Sequence, residues 1–333
     1  MAQSPPTDPN TPRPLPRRAG PRANRPRFGA LDAVWAAALC AVSLAVSAWL
    51  GELSGRHLLG SLAAAGTVGV VYALGWRARD RAAGVGAGLL LALSPQFLFW
   101  AAYSPQSTAF ALLSVGALLA FVAGSSLAGL LLVSGAAMVR PDGILLGLLL
   151  LALASAQKRP RALLGAALFV VPLAGCETAR YLLGHSLPRP PHFGLHGALW
   201  DWFWNPAPAL LGWLLVPFIG EFGEVARRAR WLPVVLWTAL SLLVVSVLSV
   251  TTLEGTLLPI VPLLCVLAGG GLSRLLPTLA GEFPRPAVRY TLAVLAVLGL
   301  AGLHLRLEML GTHPIRQETR DTRKSDTPAM NGG

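Results

Sequence analysis

Residues 82–157 read AAGVGAGLLLALSPQFLFWAAYSPQSTAFALLSVGALLAFVAGSSLAGLLLVSGAAMVRPDGILLGLLLLALASAQ, and their only charged members are Arg140 and Asp142. A membrane-spanning helix needs roughly 20 apolar residues, so two spans would be far too long for this stretch and four fit it. Strands of a membrane barrel would alternate apolar and polar residues, and these Leu/Ala/Val runs do not. Lipid leaves no partner for an open strand edge, so the spans are read as helices. The expected fold is all-α, a polytopic transmembrane bundle.

The rest of the chain fits that reading. Hydrophobic residues make up 54% of the 333 and charged residues 13%, where a soluble domain carries about 25% charge. The formal net charge of +12 does not mark a nucleic-acid binder, because the cations sit in short clusters between apolar runs. Cys40, Cys176 and Cys265 all lie in apolar segments, with no spacing that marks a disulfide framework or a zinc site.

Residues 1–28 read as a disordered, basic cytoplasmic tail, rich in Pro and with arginines at 13, 17, 18, 22, 25 and 27. The apolar run Leu31–Leu50 is long enough to cross a bilayer and reads as an uncleaved first span. Further basic clusters follow at Arg77/Arg79/Arg81, Lys158/Arg159/Arg161, Arg227/Arg228/Arg230 and Arg274/Arg285/Arg289. Taken as cytoplasmic markers they require an even number of spans between neighbours. The result is about 11 spans within residues 29–305, with the N-terminus in the cytoplasm and the C-terminus outside. Residues 184–206 form the long outer loop, whose second half carries Trp200, Trp202 and Trp204 as interface anchors. Residues 306–333 read as a disordered C-terminal tail. Heavy Gly, Ala, Arg and Pro usage fits a bacterium with a GC-rich genome, and the multi-pass chain is assigned to its cytoplasmic membrane.

Several stretches, in order, resemble the C-type (GT-C) membrane glycosyltransferases. They are GRHLLGSLAAAGTVGVVYALGWRARDRAAGVGAGLLLALSPQFLFWAAYSPQSTAFALLSVGALLAF from residue 55, AAMVRPDGILLGLLLLAL from 136, ARYLLGHSLPRPPHF from 179 and LEGTLLPIVPLLCVLAGGGL from 253. The third is similar to a segment of the mannosyl- and arabinosyltransferase branches. The resemblance implies a GT-C-like bundle and an inverting transferase that uses a polyprenyl-phosphate-linked sugar at the outer membrane face. Membrane lipid would be its other partner. Against the family pattern, the first outer loop is short, spanning 51–57, with Glu52 its one acid.

Such chemistry needs a carboxylate to deprotonate the acceptor hydroxyl and cations to stabilise the leaving phosphate. Glu52 is the position-matched candidate base and Asp142 the second. Candidate substrate-binding residues are Arg56, His57, Arg140, Glu177, Arg180 and Tyr181. Each has a plainer reading. Glu52 and Arg56 form an i,i+4 pair in a solvated turn, Asp142 caps a helix while Arg140 snorkels, and Glu177 with Arg180 forms a structural ion pair. His185, His192 and His196 lack a clustered carboxylate, so no metal or other cofactor is expected. Two other functions stay open. One is a catalytically inactive relative acting as a scaffold or lipid-binding subunit. The other is a transporter, which would more often show paired halves with broken helices.

Reporter fusions at 158–161 should read cytoplasmic and fusions at 190–200 external. The reverse pattern at either position would overturn this topology.

Overall fold

A computed structural model describes residues 28–49, 58–94, 97–98, 101–102, 104–157, 162–182, 232–247 and 259–281. Among these the regular elements are helices, with no strand. In chain order they are α1 (Ala30–Trp49), α2 (Leu58–Ala78), α3 (Arg81–Ala92), α4 (Pro105–Ala123), α5 (Ser126–Val139), α6 (Asp142–Ala156), α7 (Ala162–Leu182), α8 (Leu232–Val247) and α9 (Val261–Gly281). Four of them, α3 to α6, occupy the stretch quoted first. The expected outer loop 184–206, the last span and both tails up to Arg27 and from Arg306 lie outside the described residues.

Three helical stretches among the described residues are long and apolar enough to cross a membrane: Ala30–Ala48, Leu58–Ala78 and Pro105–Ala123. The helices α3, α5 and α6 are shorter, at 12, 14 and 15 residues. Large apolar side chains lie exposed on the outside, among them Leu59, Val34, Leu148, Leu163 and Val171. The closest helix contacts are made at small residues, as in lipid, where helices associate through close packing, and large side chains fill the space around them.

Local sequence sets the helix ends. Asp80 caps α3, its Oδ1 accepting from the Ala83 N–H at 2.8 Å. Pro105 stands in the first turn of α4, where a missing N–H costs nothing. Gly124 ends α4 with φ +98°, a left-handed conformation that glycine adopts without steric cost. Arg140 leaves α5 in an extended conformation, as a residue before proline must.

The helix α3 packs most extensively on α9 and also touches α2 and α1. Its glycines make that possible. A side chain at Gly84 would meet the Tyr72 carbonyl of α2, and one at Gly88 would meet Leu39 of α1 at 2.7 Å. On another face of α3, Gly86 lies against Gly269 of α9, and a Cβ at Gly269 would stand 2.6 Å from the Ala87 nitrogen. The large residues Tyr72, Leu91, Phe97 and Phe110 fill one continuous core around these contacts.

One buried acid ties the first three helices together. Asp32, in the first turn of α1, is 0% exposed. Its Oδ1 accepts from Arg81 Nε at 2.6 Å and from the Tyr72 hydroxyl at 3.1 Å. Its Oδ2 accepts from Arg81 Nη2 at 3.1 Å and from the Gly29 N–H at 2.9 Å. Four donors thus cover both oxygens, which is the condition for holding a carboxylate away from water. Phe28 packs edge-on against Trp76 and Tyr72, with ring centroids 5.4 and 6.4 Å apart. Arg77 lies over the Trp76 ring.

Arg81→Leu should lower the thermal unfolding midpoint of the detergent-solubilised protein more than Asp32→Asn does. The first change leaves a buried carboxylate short of its cation, whereas the second leaves a guanidinium that already reaches solvent at 50% exposure. Their double variant should lose less than the sum of the two shifts, because the members of one pair are not additive. Equal single shifts that simply add would contradict the pairing.

Candidate functional site

The second charged cluster lies at the opposite end of the bundle from Asp32. At the start of α2, Gly60 lies against the backbone of Ala101 and Ala102. Thr108 of α4 donates to the Ala101 carbonyl at 3.0 Å. Ser107 stands beside it in the same turn, and the Arg140 guanidinium approaches the Ser107 hydroxyl. About 18 Å of helix rise along α2 separates Gly60 from Tyr72 and the Asp32 cluster.

Arg-Pro-Asp-Gly builds this cluster, each residue for its own reason. Pro141 stops α5, and the turn closes through the Gly143 N–H on the Arg140 carbonyl at 3.0 Å and the Ile144 N–H on the Pro141 carbonyl at 2.9 Å. Asp142 opens α6, where the unpaired N–H groups favour a negative charge. Gly143 lets α6 cross α5 closely: a Cβ there would stand 2.6 Å from the Ala137 Cα.

Arg140 is held on three sides. Its Nη2 donates to Asp142 Oδ2 at 2.5 Å, with the two side chains 18% and 24% exposed. Its Nη1 lies 3.5 Å from Ser107 Oγ, a long contact. Its Cζ sits 5.1 Å from the centroid of the buried Phe110 ring, within the range at which a ring face attracts a cation. Ser104 donates to Ser107 Oγ at 2.9 Å, so two hydroxyls stand at the first turn of α4 beside the guanidinium. The arrangement offers a fixed cation, hydroxyl donors and helix N-terminal N–H groups to an anion, with a carboxylate alongside.

The helix directions add a further element to this end. Gly165 of α7 lies on Leu130 of α5, and further along both helices the Ser134 hydroxyl donates to the Phe169 carbonyl at 3.3 Å. The two helices therefore run the same way, and the last turns of α7, which carry Glu177, Arg180 and Tyr181, come to the end of the bundle where Arg140 lies. The side chains of those three residues lie outside what is described, as do Glu52, Arg56 and His57 altogether. The helix α2 begins at this same end, at Leu58. Among the described residues no group of His, Cys, Asp and Glu has the arrangement of a metal site.

Sequence reasoning missed Ser104, Ser107 and Phe110. A Ser-Pro-x-Ser-Thr run before an apolar segment marks a helix N-terminus, but nothing local ties it to Arg140, which is 33 residues away from Ser107. The Asp32 cluster was missed as well. A lone acid inside an apolar span was the available signal.

No protein-family model matches the chain, and no curated protein sequence does. Among solved structures, the chain is similar to the crystal structure of ArnT from Cupriavidus metallidurans bound to undecaprenyl phosphate. The TM-score is 0.50 at 18% sequence identity, and the match covers 81% of this chain. The chain spans 64% of the length of that protein. At this identity the likeness concerns the fold alone, a helical arrangement like that of the ArnT structure.

Gly143→Ala should destabilise the protein by about 1–3 kcal/mol through overpacking of α6 on α5, against the usual preference for alanine in a helix. Gly175→Ala, in the interior of α7 where a Cβ meets nothing within 4 Å, serves as the control and should be neutral or stabilising by up to about 1 kcal/mol. Thermal unfolding of the two variants in one detergent checks the contrast, and equal shifts would refute the close approach.

Proposed function

We propose that this chain is a glycosyltransferase that moves a sugar from a polyprenyl-phosphate donor to a cell-envelope acceptor at the outer face of a bacterial cytoplasmic membrane. The observation that carries the reading is the Arg140–Asp142 hairpin beside Ser107. It is a partly buried cation–carboxylate pair at the end of the bundle opposite the arginine-rich turn of residues 77–81. By the positive-inside rule that turn faces the cytoplasm and the hairpin faces outward. The likeness to a protein crystallised with undecaprenyl phosphate supports a lipid phosphate as the ligand class. The motifs similar to mannosyl- and arabinosyltransferases support a hexose or pentose as the group transferred.

The chemistry assigned to the site is an inverting displacement. A carboxylate takes the proton of the acceptor hydroxyl while the hydroxyl oxygen attacks the anomeric carbon. The bond from that carbon to the phosphate oxygen breaks, and the electron pair leaves with the polyprenyl phosphate. Arg140, with the hydroxyls of Ser104 and Ser107, stabilises the charge on the departing phosphate. Glu52 and Asp142 are the two bases proposed. Arg56, His57, Glu177, Arg180 and Tyr181 are proposed to contact donor or acceptor, because residues 51–57 lead into α2 and residues 177–181 end α7 at the same end of the bundle.

A second reading has an observation of its own. The first outer loop is short, 51–57, and Asp142 is already engaged by Arg140. A catalytically inactive relative that binds lipid-linked sugar as a scaffold or carrier subunit would show these features too.

Replacing the true base by its amide removes the proton acceptor and keeps the shape. One of Glu52→Gln and Asp142→Asn should therefore lower transfer from a polyprenyl-phosphate sugar by about 10²–10⁴-fold with little change in unfolding temperature. Arg140→Ala should weaken donor binding. Protein that binds the donor without ever transferring it supports the inactive relative. Full transfer by both amide variants would overturn the site assignment.

A further inference from the structure

We propose that Asp142 is a built-in stand-in for the donor phosphate: the phosphate competes with the Asp142 carboxylate for the Arg140 guanidinium and displaces it on binding, which releases the carboxylate. The inference rests on the reading of the Arg140 end as the donor site and adds how that site is controlled.

The geometry distinguishes a fixed partner from a movable one. Arg140 is fixed at both ends of its side chain. Its backbone is extended before Pro141, with its N–H donating to the Ala136 carbonyl at 2.9 Å. Its guanidinium lies over the Phe110 ring at 5.1 Å, and Phe110 is among the largest fully buried side chains. Asp142 is different. Its backbone is held in the first turn of α6 by the Gly143 crossing, but its short side chain is free to turn about its Cα–Cβ and Cβ–Cγ bonds and is 24% exposed. Breaking the Arg140–Asp142 contact needs a rotamer change of Asp142 and no movement of the hairpin.

Carboxylate and phosphate oxygens compete for the same guanidinium edge, since both accept charge-assisted hydrogen bonds from it. A polyprenyl phosphate brings its anion to Nη2 together with the Ser104 and Ser107 hydroxyls nearby. Asp142 reaches Arg140 from the same hairpin and brings none of those extra contacts. The exchange has a chemical use: once the phosphate takes the Arg140 edge, the Asp142 oxygens are turned from the guanidinium toward the acceptor hydroxyl.

The test uses the full-length protein in nanodiscs of neutral lipid, with binding of undecaprenyl phosphate read by native mass spectrometry. If Asp142 competes with the phosphate, Asp142→Asn should bind about tenfold more tightly than the unaltered protein, because one charge-assisted partner of Arg140 has been removed. Arg140→Ala should bind about tenfold more weakly, and the double variant should bind like Arg140→Ala. Asp142→Ser repeats the measurement with a shorter side chain and should tighten binding as the amide does. If undecaprenyl phosphate binds in an Arg140-dependent way but neither Asp142 variant tightens it, the exchange is refuted and the donor site stands. Absence of Arg140-dependent binding in any form overturns both. Tightening seen for phosphatidylglycerol and not for undecaprenyl phosphate would move the exchange to a phospholipid headgroup and overturn the donor assignment.

Discussion

The bundle depends on how closely α3 approaches its neighbours. In lipid there is no gain in turning leucines inward, so helices are held by backbone proximity and by the few polar contacts it allows. The Gly84–Gly88 face lies against α2 and α1, and Gly86 lies against Gly269 of α9. A helix of 12 residues thereby touches three others. Large side chains fill one continuous core around these crossings and also cover the exterior.

Asp32 complements that packing at one end. Hydrocarbon-side packing resists sliding weakly, because one apolar contact replaces another at little cost. A carboxylate with four donors has one register in which all are satisfied, and any shift of α1 along α2 breaks several of them. The pair therefore specifies position as much as it stabilises. Phe28 extends the same junction beyond the helix, onto Tyr72 and Trp76.

At the other end the same packing rule brings a charged pair together. Gly143 allows α5 and α6 to cross so tightly that two residues, Arg140 and Pro141, suffice to join them. The short joint leaves the Arg140 and Asp142 side chains side by side, with the guanidinium over Phe110 and next to Ser107 in the first turn of α4. An ion pair between residues two apart would contribute little on a solvated turn. Partly buried, with an aromatic ring beneath and a hydroxyl beside it, the pair is held in one place, and it is there that the donor phosphate is proposed to bind.

The sequence by itself determined the membrane class and the helical character of the described residues. Those follow from composition and from the length of apolar runs, which lipid thickness converts directly into elements. It also singled out the Arg140-Pro141-Asp142-Gly143 hairpin, because charge in an apolar run is costly and therefore conspicuous. Tertiary structure alone decided which residues meet. Apolar runs carry no mark of their neighbours, since one leucine face packs much like another. The joining of Asp32 to Arg81, 49 residues apart, and of Arg140 to Ser107 and Phe110 depends on helix crossings set by glycines in other parts of the chain. Arg81 shows the difference most plainly: in the sequence it is one of a row of basic residues marking a membrane face, and in the fold it is the cation that holds the buried acid of the first helix.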